Sequence, residues 1–114
     1  MAELQIIEQS ETMTVVALSG ELDSPGVNGV EDRFRAAICP SGRNAVVDLS
    51  GVTFLASLGM RMLIAAARTL AARGARLVMH SPQELVRESL VGAALDDFIP
   101  LADDADGARR LLDA

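Results

Sequence analysis

Reactive side chains are scarce in this chain. It has one histidine, His80, and one cysteine, Cys39, too few for a metal centre of the cysteine–histidine kind. A serine–histidine–acid triad would have to use His80, yet no Gly-x-Ser-x-Gly turn is present. His80 is therefore read as a structural or solvent-exposed residue. No Gly-x-Gly-x-x-Gly occurs either, and the glycines stand singly. Asp48 closes a short apolar run, where a phosphoacceptor aspartate would sit. That chemistry also takes an acidic pair after the first strand and a lysine late in the chain, and both are missing. Asp48 is expected instead to hydrogen-bond to nearby backbone. These absences predict a protein that is not an enzyme and carries no cofactor or metal.

One serine stands in an unusual setting. In Phe54-Leu55-Ala56-Ser57-Leu58-Gly59-Met60-Arg61, an apolar strand passes through a short loop into a helix that opens at Ser57. Serine commonly caps helices, a contribution of about 1 kcal/mol. Gly59 in the first turn costs up to about 1 kcal/mol of helix propensity. Its missing side chain lets another backbone or a phosphate come close. Leu58 and Met62 are four apart. If Met60, Leu63 and Ala67 define the core face, these two form an apolar ledge beside Ser57 suited to a partner helix. Alternatively, both are core on a helix packed from two sides.

The composition bounds the remaining possibilities. A chain of 114 residues makes one domain, residues 1–114, with half its residues hydrophobic and 23% charged. The net charge of −6 argues against a nucleic-acid partner held through phosphates. All ten basic residues are arginine, which excludes Schiff-base and phosphate-loop lysine chemistry. A lone cysteine fits a reducing compartment. The start, Met1-Ala2-Glu3-Leu4, lacks the basic and apolar regions of a signal peptide. The longest uncharged stretch near the middle, Leu49 to Met60, falls short of the about eighteen residues that span a bilayer. A cytoplasmic domain without direct membrane insertion is expected.

The elements that must position Ser57 follow from periodicity. Leu4–Ile7 and Met13–Leu18 read as a hairpin across Gln9–Thr12, with Gly20 ending the second strand. Ser24-Pro25 reads as an N-cap with proline at the first helical position. Val27, Val30, Phe34 and Ile38 line the core face of that helix, and Pro40-Ser41-Gly42 breaks it. Ala45–Leu49 reads as a central strand buried on both faces. The Ser57 helix runs to about Arg73, with Gly74 as its stop. Its core face is expected at Met60, Leu63, Ala67 and Leu70, with Ile64 and Ala71 beside them and Arg61 and Arg68 opposite.

Arg76–Met79 is the next strand. Ser81-Pro82-Gln83-Glu84 reads as a capping box opening a helix that carries Leu85 and Leu90 and stops near Gly92. Asp97–Pro100 reads as a short edge strand. A final helix has Asp103-Asp104 at its start and Arg109-Arg110 at its end. The predicted class is α/β: a mixed four- to five-stranded sheet with helices packed mainly on one face.

Two segments together resemble the STAS domains of bacterial anti-sigma-factor antagonists. They are Leu18-Ser19-Gly20-Glu21-Leu22-Asp23, and Val46-Val47-Asp48-Leu49-Ser50-Gly51-Val52-Thr53-Phe54 leading into Ala56-Ser57-Leu58-Gly59-Met60. The likeness continues through Leu77–Met79 and the helix after Ser81-Pro82. It implies a partner-switching binding protein. The unphosphorylated form would bind an anti-sigma factor that is also a serine kinase, freeing a sigma factor. A serine phosphatase would reset the phosphorylated form. Carried over by motif, Ser57 is the phosphoacceptor. Asp23 is then the acidic loop residue expected near it, and Asp23, Ala56, Leu58, Gly59, Met60, Arg61 and Met62 are the expected partner-binding residues. The family commonly reads Asp-Ser-Ser/Thr-Gly where this chain has Ala56-Ser57-Leu58-Gly59, so an aspartate and a second hydroxyl are missing. A constitutive STAS scaffold subunit of a lipid-transport or larger signalling complex is the alternative. Phosphate on Ser57 would place about −1.5 to −2 charges at a helix N-terminus, where the fold tolerates it and an acidic partner does not.

Overall fold

The computed structural model describes residues 1–113. Along the chain, β1 (Glu3–Gln9) and β2 (Met13–Leu22) precede α1 (Ser24–Ile38), β3 (Asn44–Leu55) and α2 (Ser57–Ala71). There follow β4 (Leu77–His80), α3 (Glu84–Gly92), β5 (Leu101–Ala102) and α4 (Ala105–Asp113). The five strands form one sheet in sequence order. β1 is antiparallel to β2, and every later neighbour is parallel. Each crossover steps the same way along the sheet, so a uniform crossover hand puts α1, α2 and α3 on one face.

The hairpin closes through Ser10, whose hydroxyl accepts from the Thr12 and Met13 N–H groups at 3.3 and 3.1 Å. Strand alternation then sorts the side chains. Val16 and Leu18 of β2 and Ala45, Val47 and Leu49 of β3 face the large core with Val27, Val30, Phe34 and Ile38 of α1. Met13, Val15, Val46 and Val78 face the other way, where α4 covers them with Ala108, Leu111 and Leu112. The mixed α/β sheet is as expected, with α4 alone on the second face. No described helix is long and apolar enough to cross a membrane.

Several boundaries differ from expectation, each for a local reason. Both β2 and β3 run on, to Leu22 and Leu55, through register shifts between Ala17 and Ser19 and between Gly20 and Glu21. Gly20 thus lies inside the strand. Its φ is +84°, and a Cβ there would stand 2.0 Å from the Met1 carbonyl oxygen. The Ser50-Gly51 pair, a turn signal in isolation, is absorbed by the same irregular pairing.

The Ser81 capping box does not form. Ser81 sits at φ +60°, and its hydroxyl pairs with His80 Nδ1 at 2.7 Å and donates to the Asp103 carbonyl at 3.2 Å. The helix therefore begins after Gln83, whose amide donates instead to the Ser50 carbonyl at 2.9 Å. Val86 is buried in place of Leu85, which is 58% exposed. Asp97–Pro100 is not a strand. Leu95–Asp97 makes a 3-10 turn, Ile99 plugs the core, and the strand comes after Pro100, whose carbonyl accepts from Met79 N–H at 3.0 Å. α2 stops at Ala71, and Ala75 N–H reaches back to the Leu70 carbonyl at 2.9 Å around Gly74 at φ +78°.

Candidate functional site

The site lies where two parallel strands end together. Leu22 of β2 and Leu55 of β3 are register partners, and Ala56 N–H donates to the Leu22 carbonyl at 3.1 Å. Each chain turns at once into a helix, so the N-termini of α1 and α2 open side by side at one end of the sheet.

Asp23 closes the first of these. It is the N-cap of α1: its carboxylate accepts from Gly26 N–H at 2.9 Å and its carbonyl from Val27 N–H at 2.8 Å. Ser24, expected as the cap, is the first helical residue. Aspartate wins the position because its carboxylate reaches the third N–H and adds charge at the positive end of the helix.

α2 opens without such help. Its N-cap is Ala56, which has no capping side chain, and the first turn holds no acidic residue. Ser57 is the first helical residue rather than the cap, so the expected serine cap is replaced by an uncapped end. The Ser57 side chain is exposed and makes no hydrogen bond among the described residues. An accessible hydroxyl thus stands beside backbone N–H groups that no side chain caps. That is a favourable place for an added anion.

Gly59 serves the packing of this corner. A Cβ there would lie 2.7 Å from Leu55 Cδ1, 2.9 Å from Leu22 Cβ and 3.0 Å from the Leu22 carbonyl oxygen. The close approach anticipated at Gly59 is that of the neighbouring strand, and the residue is buried.

The remaining site residues separate into two faces of α2. Met62 is only 3% exposed and packs in the core with Leu63, Ala66 and Leu70. The ledge of Leu58 with Met62 does not form, because Met62 turns into the core and leaves almost no surface. The core face expected at Met60 and Ala67 is rotated toward Gly59, Met62 and Ala66, because α2 packs against α1 as well as the sheet. Ala56 and Met60 are half-buried, whereas Leu58 (39% exposed) and Arg61 are on the surface. Asp23 is half-buried and occupied with capping.

Sequence reasoning passed over Phe98, which it placed in a strand. Phe98 is 69% exposed and borders a cleft with Ile64, Ala67, Arg68 and Ala71 of α2. The buried pair Leu95 and Ile99 on either side of it was the available signal, since a turn that points both inward leaves Phe98 outside. His80 is not brought to Ser57. It is buried, bonded to Ser81, and opposite Asp48 in the middle of β3. Asp48 accepts from Ser50 N–H at 2.9 Å, the backbone role anticipated for it. Among the described residues no group of three or more histidine, cysteine, aspartate or glutamate side chains is placed to hold a metal ion.

With this geometry in hand, residues 7–102 match the family model described as Mlab, STAS domain. The chain belongs to the STAS domain family. An anti-sigma factor antagonist from Mycobacterium paratuberculosis is 24% identical, superposes with a TM-score of 0.87, and is matched over 100% of this chain and 96% of its own. The unphosphorylated form of the anti-sigma factor antagonist SpoIIAA is 20% identical, with a TM-score of 0.78 and 98% of each chain covered. The phosphorylated form of SpoIIAA, a Bacillus cell fate determinant, is 19% identical, with a TM-score of 0.65 over 96% of this chain and 99% of that one. At these identities the likeness establishes the shared fold. No curated protein matches the chain. The STAS domain therefore carries its exposed serine at the entry to α2, with Asp23 capping the adjacent helix.

Proposed function

We propose that this STAS domain is a phosphorylation-regulated, non-enzymatic binding protein of the anti-sigma-factor-antagonist type. In its unphosphorylated form it binds an anti-sigma factor with serine-kinase activity and so frees a sigma factor. Phosphorylation of Ser57 ends the interaction, and a serine phosphatase restores it. The observation that carries this reading is the uncommitted Ser57 hydroxyl on the surface at an uncapped helix entry. The occurrence of SpoIIAA in unphosphorylated and phosphorylated forms on the same fold supports it. A phosphate there meets the positive end of α2 and leaves the core untouched, so the switch acts at the interface rather than by refolding. Leu58 and Arg61 are exposed beside it, while Gly59 and Met62 of the same helix are buried.

The test pairs the parent, Ser57→Ala and Ser57→Asp with a cognate kinase partner. Ser57→Ala should bind and resist phosphorylation, while Ser57→Asp should bind at least about tenfold more weakly, the effect of a like charge set against an acidic surface. Equal binding by all three would remove Ser57 from the switch.

A second reading is favoured by Ala56 and Leu58, which replace the aspartate and second hydroxyl common at this motif. It is a constitutive scaffold subunit of a lipid-transport or larger signalling complex. Native mass spectrometry separates the two, because a scaffold stays with its assembly whatever the state of Ser57.

A further inference from the structure

We propose that the outward face of α2 docks an acidic amphipathic helix of another protein. The proposal gives the chemistry of the partner for the face that carries Ser57, and so rests partly on the partner-binding reading above. Ser57, Arg61, Ile64, Arg68 and Ala71 follow one another at spacings of four, three, four and three, which is a single stripe along the helix. The stripe lies opposite the buried Gly59, Leu63, Ala66 and Leu70. Ser57, Arg61, Arg68 and Ala71 are exposed and Ile64 is half-buried.

Charge on α2 favours an acidic occupant along its Arg61–Arg68 stripe, and the exposed Asp96 and Asp97 beside Phe98 confine that occupant's carboxylates to the α2 side. The protein carries a net charge of −6, yet the only charged residues in α2 are Arg61 and Arg68. Neither makes an ion pair or a side-chain hydrogen bond among the described residues, whereas Arg35, Arg87 and Arg109 all have carboxylate partners. Two free guanidinium groups two turns apart thus punctuate an otherwise uncharged helix face.

Shape selects its form. Beside the stripe, Phe98 stands 69% exposed over a cleft of about 190 Å³ floored by Ile64, Ala67 and Ala71 and edged by Arg68. A leucine-sized side chain entering this cleft would cover the Phe98 ring. A carboxylate beside that side chain would meet Arg68 at the cleft's edge, and one about two turns away would meet Arg61. Apolar anchors at helical spacing flanked by acids are what an acidic amphipathic helix offers. Ser57 sits in the same line as the arginines, one turn before Arg61, so a phosphate there would confront the first carboxylate of the docked helix and draw Arg61 to itself.

The test titrates the isotope-labelled full chain with a synthetic helical peptide of about 20 residues, bearing leucine at heptad positions and glutamate around them. A second peptide carries lysine in place of glutamate. Saturable NMR shifts should map to Arg61, Ile64, Arg68 and Phe98, with the lysine peptide at least about tenfold weaker. Arg61→Glu combined with Arg68→Glu should reverse that preference, and Phe98→Ser should weaken both peptides while keeping their order. Shifts mapping elsewhere, or equal binding of the two peptides, would overturn the proposal. So would sedimentation showing a dimer that the double charge reversal dissociates, because the occupant would then be a second copy of the chain. Glutamate-peptide binding that survives phosphoserine at position 57 counts for the docking face and against the switch, so the two readings fail separately.

Discussion

Ser57 and Arg61 lie one turn apart on the solvent side of α2, both exposed and neither engaged by another side chain of the described structure. Their i, i+4 spacing puts the two Cβ atoms about 5–6 Å apart. A negative group at Ser57 therefore finds the positive end of the helix on one side and a guanidinium on the other. The structural cost of a charge there is low, and its effect on a partner is large.

Ser57→Asp should accordingly leave the fold intact, with stability unchanged or raised by about 0.3–1 kcal/mol through the helix dipole. Urea denaturation followed by circular dichroism measures this. A loss of more than about 2 kcal/mol would mean that the serine is held by contacts the structure does not contain.

Gly59→Ala tests the close packing of α2 on β2. Propensity alone predicts a gain of up to about 1 kcal/mol. The new Cβ would press on Leu22 and Leu55 at 2.7 to 3.0 Å, so a net loss of about 1–3 kcal/mol is expected. The sign of the change in thermal midpoint decides between these two effects.

Asp23→Ala removes the one side-chain cap at this corner. Stability should fall by about 1 kcal/mol, and hydrogen exchange should quicken at Gly26. Asp23→Asn, which keeps an acceptor oxygen, should recover most of the loss. If Asn and Ala behave alike, Asp23 contributes through its charge rather than its cap.

Met62 and Leu58 should part company. Met62→Ala empties a core site and should cost about 2–5 kcal/mol. Leu58→Ala, at a surface site, should stay within about 0.5 kcal/mol and instead weaken partner binding. Paired denaturation and binding measurements on the two variants check whether they divide in this way.

Residue types and local periodicity sufficed for the hairpin, the two-sided burial of Val46 and Val47, the core face of α1, and an exposed serine opening α2. These depend on neighbours a few residues away, where strand alternation and helix spacing act. The scarcity of histidine, cysteine and lysine likewise restricted the available chemistry without any coordinates. Competition between eligible groups, near and far along the chain, decided the rest. Asp23 rather than Ser24 caps α1, Ser81 gives its hydroxyl to His80 and Asp103 rather than to α3, and Gly20 and Gly51 sit within paired strands. Whether Met62 is surface or core depended on α1 and the sheet both packing against α2, and the position of Phe98 depended on Leu95 and Ile99 claiming the core first. A one-dimensional pattern states what each segment prefers. Only the folded chain determines which of two eligible groups reaches the partner, because each hydrogen bond and each core vacancy can be filled once.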